Sequence, residues 1–154
     1  MGIYVIEMGG NRAVATTLTG AVKKGYLWRD FGATIWEIKG TTMTKVGWVV
    51  LQPVNHYSDS KKYRPLPVFY KADRNENPVS VHPINSSGTV GAKVDLLDVK
   101  NYKNPYFTTG PLYESIKQGK GTVKLSNGVT VTKAQREKYA INELFHRCQN
   151  INRH

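Results

Sequence analysis

The sequence predicts an α+β fold: a mainly antiparallel β-sheet whose C-terminal end is a β-hairpin running into an amphipathic helix over about residues 133–150. Three observations carry that reading. Short apolar and aromatic runs, separated by glycine, proline and asparagine turns, fill the first two-thirds of the chain. The stretch TVKLSNGVTVT, residues 122–132, alternates apolar and polar side chains around an Asn-Gly turn. Beyond it, Ala134, Ile141, Leu144, Phe145 and Cys148 recur on one side of a helical wheel.

Taken in order, Ile3-Tyr4-Val5-Ile6 reads as a short strand ended by Gly9-Gly10, with residues 13–18 as its hairpin partner. Residues 25–40, GYLWRDFGATIWEIKG, form two aromatic-rich runs either side of Gly32 and read as a further hairpin. In the second run Thr34, Trp36 and Ile38 share one face, and Ala33, Ile35 and Glu37 the other. Residues 45–52 make a strand stopped by Pro53. Residues 66–72 make another, and Pro67 within it assigns it to a sheet edge. Residues 73–78 are a polar loop. From 79 to 109 the pattern loosens, with 92–99 its single strand; long irregular segments of this kind carry function or wrap a neighbour. Residues 112–118 suit one or two helical turns between Pro111 and Gly119.

The C-terminal hairpin has two possible registers. A two-residue Asn127-Gly128 turn sets Leu125 against Thr130 and Val123 against Thr132, mixing apolar with polar. A three-residue loop, Ser126-Asn127-Gly128, pairs Leu125 with Val129 and Val123 with Val131, and so gathers four apolar side chains on one face. The second register is preferred. Thr132 then caps the helix and Gln135 completes a Thr-x-x-Gln capping box. Arg136, Glu143 and Arg147 are assigned to the helix's outer side.

The chain's 154 residues, with no repeat, low-complexity tract or evident linker, suit a single domain over 1–154. A hydrophobic content of 40% is enough to offset chain entropy and argues against disorder. No apolar run approaches the roughly 18–20 residues that cross a bilayer, so no membrane partner is expected. The N-terminal residues resemble neither a secretion signal nor a myristoylation site, and the single cysteine, Cys148, precludes an internal disulfide. These features suggest a cytoplasmic setting, in a cell or an infected host.

Charge is the strongest global signal. Lys and Arg number 22 against 11 Asp and Glu, giving a net charge of +11, and residues 101–154 alone hold nine cations to three acids. Such an excess attracts polyanions at long range and through counterion release. Basic residues interleave with aromatics at Lys61-Lys62-Tyr63-Arg64 and again at Lys100, Tyr102, Lys103 and Tyr106. There Lys and Arg would neutralise phosphates while tyrosines stack on unpaired bases. Lys120 in a Gly-Lys-Gly turn, with Lys124, Lys133, Arg136 and Arg147 of the hairpin and helix, completes the candidate anion contacts. Against this, Glu143 lies four residues before Arg147, which is ordinary helix-surface pairing.

The sharpest enzymatic pattern is Asp30 followed by Glu37-Ile38-Lys39. Two carboxylates holding Mg²⁺, with a lysine beside them on one strand face, form the minimal pattern of metal-dependent nucleases. No Pro-Asp precedes it and no helix is evident upstream. His56, His82, His146 and His154 are scattered, and Ser86-Ser87-Gly88-Thr89 lacks the lysine of a phosphate loop. Cys148, on the helix's apolar side, reads as a buried small hydrophobe.

The sequence therefore favours binding over catalysis. The expectation is a non-catalytic, cofactor-free basic protein that engages nucleic acid or a ribonucleoprotein, a profile that suits a viral, phage or mobile-element accessory protein. One alternative is an inhibitory or structural protein meeting an acidic protein surface. The other is the nuclease at Asp30, Glu37 and Lys39.

Overall fold

The computed structural model of the chain describes residues 2–52, 66–98, 100 and 116–149. Within them run β1 (Ile3–Met8), β2 (Asn11–Ala15), α1 (Leu18–Leu27), β3 (Ala33–Lys39), β4 (Thr42–Gln52), β5 (Leu66–Ala72) and β6 (Pro78–Pro83). After these come β7 (Val123–Lys124), β8 (Thr130–Val131) and α2 (Lys133–Gln149). β1 to β6 form one antiparallel sheet in the order β2-β1-β3-β4-β5-β6, and β7 and β8 pair separately. The fold is α+β, as the sequence predicts.

The pleat divides the sheet's side chains between two cores. On one face Ile6, Ala15, Ala33, Ile35, Val49 and Phe69 pack with Ala21 and Val22 of α1. On the other, Val50, Val68, Tyr70 and Val81 pack with Ala140, Ile141, Leu144, Phe145 and Cys148 of α2. The alternation expected for β3 holds: Trp36 pairs with Val5 and Lys45, and Ile35 with Ile6 and Gly47. Because α2 crosses β4 and β6, the same face of β1 to β3 retains exposed Ile3 and Val14. There the Lys45 ammonium lies 5.1 Å over the Trp36 ring, and the buried Trp36 indole N–H has no hydrogen-bond partner among the described residues.

Several expectations are corrected. Residues 18–27 are helical, whereas the sequence reading ran a strand to residue 18 and a second strand from residue 25. Thr17 caps this helix, its Oγ1 accepting from Gly20 N at 3.0 Å. Gly20 and Gly25 each cost about 1 kcal/mol in helix propensity, and ten residues are marginal as an isolated helix. Only burial of Ala21, Val22 and Gly25 against the sheet sustains it. β5 is interior, between β4 and β6, and is no edge. Pro67 stands before the first register pair with β6, where a missing N–H costs the ladder little. β6 went unrecognised because prolines bound it at both ends.

Residues 92–98 are not a strand. Val94 N donates once to Val81 O at 3.0 Å, then Asp95 Oδ1 accepts from Leu97 N and turns the chain. That turn drops Leu96 and Leu97 into the core. The helical turns expected at 112–118 fall largely outside the described residues; Gly119 N does donate to Ile116 O.

The C-terminal hairpin adopts the preferred register. Val123 pairs with Val131, Leu125 N donates to Val129 O at 2.8 Å, and Gly128 has φ +86°, the left-handed conformation this loop requires. The capping box is present in both directions: Gln135 N to Thr132 Oγ1 at 3.2 Å, and Thr132 N to Gln135 Oε1 at 2.9 Å. Two helix-face assignments are reversed. Ala134 is exposed, and Arg136, expected on the outer side, is only 7% exposed. Arg136 precedes Ala140 and Leu144 along one i, i+4 row, and its Nη1 donates to Gly121 O at 2.7 Å. Its apolar stem covers the core while the guanidinium ties the hairpin's entry to α2.

Candidate functional site

The hairpin and α2 carry the densest basic segment of the described chain. From Ile116 to Tyr139, Lys117, Lys120, Lys124, Lys133, Arg136 and Lys138 stand against one acid, Glu137. The fold engages several of them internally. Lys120 Nζ sits 3.5 Å from Asp95 Oδ2 and 3.3 Å from Asp98 Oδ2, and Lys100 Nζ lies 3.7 Å from Asp98. Burial works against ionisation of Asp98, but the Lys100 amide and the Lys120 ammonium outweigh it and hold the carboxyl below its ordinary range. Lys133 pairs with Glu137 at 3.8 Å, one turn along α2. Lys124 and Lys138 are exposed and make no ion pair among the described residues.

Of the other candidate contacts, Lys61, Lys62, Tyr63, Arg64, Tyr102, Lys103 and Tyr106 lie outside the described residues, as does the side chain of Arg147. Arg136 is brought to this unit but inward, so it does not stand at the surface as expected. Lys117, Lys138 and Tyr139 were not singled out from the sequence. Tyr139 is 58% exposed, and its place three residues after Arg136, on the hairpin side of the helix, was the available signal.

The hairpin and helix enclose a groove of about 290 Å³, whereas Lys133 and Lys138 line other clefts along α2. Leu97 and Ile116 contribute from the core side, Val123, Leu125 and Val131 from the hairpin, and Tyr139 from α2. Arg136 is the one charged residue among the described lining. Leu125 is 41% exposed, because the apolar hairpin face meets α2 only partly. A larger cleft of about 470 Å³ lies between the β5–β6 turn and α2. It mixes Asp73 and Glu137 with Lys138 and has no consistent charge preference.

The residues of the nuclease pattern lie on β3 and in the turn before it. Glu37 and Lys39 share a face and lie 3.7 Å apart, and Tyr4 donates its hydroxyl proton to Glu37 Oε2 at 3.1 Å. Asp30 precedes β3, whereas Glu37 is near its far end. The strand from Ala33 to Glu37 lies between them along the chain. A helix, α1, does stand upstream of Asp30, where the sequence shows none. Among the described residues no group of three or more His, Cys, Asp or Glu is placed to hold a metal. His82 is structural: its ring nitrogens contact Ser80 Oγ at 3.0 Å and Gly91 O at 3.1 Å. His56 and His154 lie outside the described residues, and His146 is exposed on α2. No described helix is long and apolar enough to cross a membrane.

Cys148 is fully buried, 3.4 Å from Gln52 Oε1 and 3.7 Å from the Tyr70 hydroxyl, which itself donates to Gln52. Burial pushes the thiol up to about 12 from its usual 9.0, and the Tyr70 contact offsets this only in part. The unfolded thiol ionises near pH 9 while the native one keeps its proton. Its contribution is thus complete below about pH 9 and is lost as pH rises toward about 12. A thiol-reactive chromophore at about pH 8 should label Cys148 only on unfolding. Rapid labelling of the native protein would contradict the burial.

No protein-family model, curated protein or solved structure matches the chain. What the fold and surface define is a class: an α+β protein with a basic, partly apolar hairpin–helix unit laid against a six-stranded antiparallel sheet.

Proposed function

We propose that the chain is a non-catalytic binding protein that engages nucleic acid or a ribonucleoprotein through cationic side chains of the hairpin–helix unit. The observation that carries this reading is the run of six Lys and Arg against one acid between Ile116 and Tyr139. Lys124 and Lys138 present their charge to solvent, and Tyr139 adds an exposed aromatic side chain. Affinity of this kind arises from counterion release and therefore falls with salt.

The test is a titration of labelled single- and double-stranded oligonucleotides against salt. Affinity is expected to fall by about tenfold or more between about 50 mM and about 200 mM salt. Absence of binding at the lowest salt would remove the reading.

A second reading has one specific observation in its favour. The groove lined by Val123, Leu125, Val131 and Tyr139 is mainly aliphatic, which suits an apolar side chain better than a nucleobase. In that reading the same cations meet an acidic protein surface.

A further inference from the structure

We propose that the hairpin–helix groove receives the apolar face of an acidic, amphipathic segment of a partner protein. This inference rests on the second reading above and names its partner. The groove's volume of about 290 Å³ is at the lower limit of the roughly 300–1,000 Å³ typical of small-molecule sites. It has room for a large side chain such as leucine or phenylalanine. Its lining is aliphatic at Leu97, Ile116, Val123, Leu125 and Val131, with Tyr139 the one aromatic side chain among the described lining residues. Among the described lining residues a base would find one stacking face, that of Tyr139, whereas an apolar side chain would meet five aliphatic residues.

Charge selects among the remaining occupants. Arg136 lines the groove, no carboxylate does so among the described residues, and Lys124, between the lining residues Val123 and Leu125, is exposed. A second copy of this chain would bring the same positive unit against itself and be repelled. An amphipathic segment with leucine or phenylalanine at i, i+3 or i+4 and i+7, and glutamate or aspartate elsewhere, satisfies both requirements. Its apolar row enters the groove while its carboxylates face Lys124 beside it.

The test uses a fluorescent synthetic peptide of about fifteen residues with that pattern, measured by anisotropy against the full chain. One control peptide replaces the apolar residues with serine, and another replaces the glutamates with lysine. The patterned peptide is expected to bind at least about tenfold more tightly than either control, with Leu125→Ser and Tyr139→Ala each weakening it about tenfold. Both residues are at the surface, so their replacement leaves the fold intact, which circular dichroism verifies. Methyl resonances of Leu125 and Val131 are expected to shift on peptide addition. Equal binding of all three peptides, or indifference to both substitutions, overturns the proposal. Displacement of the peptide by a single-stranded oligonucleotide that shifts the same methyl resonances overturns it in favour of a nucleic-acid site. Failure of the peptide with oligonucleotide binding intact overturns the groove assignment alone; failure of both removes the cationic reading as well.

Discussion

Replacing Gly47 with alanine is expected to destabilise the protein by about 3 kcal/mol or more, an effect at the upper end for overpacking. Gly47 sits in β4 at the bulge where the β3 partner changes from Gly47 to Lys45 between Ile35 and Trp36. A Cβ there would lie 2.7 Å from the Tyr70 carbonyl oxygen and closer still to the Phe69 ring. Neither neighbour can move cheaply. The carbonyl is sheet backbone, and Phe69 is 3% exposed within the core beneath α1. The added methyl must therefore separate β4 from β5 or force Phe69 off its rotamer. Urea unfolding measures the loss; a variant within about 1 kcal/mol of the parent would show that β4 and β5 do not approach this closely.

Leu144→Ala is expected to cost about 3–4 kcal/mol, the usual range for a large-to-small change at a buried leucine. Leu144 is fully buried between α2 and the sheet, in the cluster that holds Val50, Val68, Tyr70 and Val81. Phe145 beside it packs on Trp48 at 4.6 Å and meets Tyr70 edge-on at 5.2 Å. Those rings leave the cavity little means of collapse. The functional consequence is separate from the energetic one, because α2 also forms one wall of the groove and anchors the hairpin through Arg136. Hydrogen exchange in α2 is expected to accelerate in the variant, and urea unfolding gives the size of the loss. A change below about 1 kcal/mol would mean that α2 is not docked here.

The C-terminal unit was legible in the sequence because its signals are local. Thr132, Gln135, Asn127 and Gly128 act on neighbours a few residues away, and the pairing of Val123 with Val131 follows from the loop length that gathers four apolar side chains on one face. What sequence reasoning missed depends on distant partners. α1 has two glycines and is helical because Ala21 and Val22 meet the sheet. β5 is central despite Pro67 because its ladder with β6 begins one residue later, and β6 is bounded by prolines that resemble loop residues.

The same distinction governs the candidate surface. Charge can be counted along the chain, but its disposition cannot. Asp95 and Asp98 engage Lys120 from some twenty-odd residues away, and the Gly121 carbonyl draws Arg136 inward from fifteen. The groove emerges only once Leu97 and Ile116 are brought beside the hairpin and Tyr139. Neither its lining nor its exposure has a sequence motif. In the Asp30, Glu37 and Lys39 pattern, the contact of Glu37 with Lys39 follows from their shared strand face, which the sequence shows.

The most direct measurement is a backbone amide chemical-shift map recorded while a single-stranded oligonucleotide is added at low salt. If the basic hairpin–helix unit is the contact surface, the largest shifts cluster between Ile116 and Tyr139, include Lys124 and Lys138, and recede as salt is raised. Shifts concentrated on α1, spread evenly over both faces of the sheet, or absent throughout would contradict it.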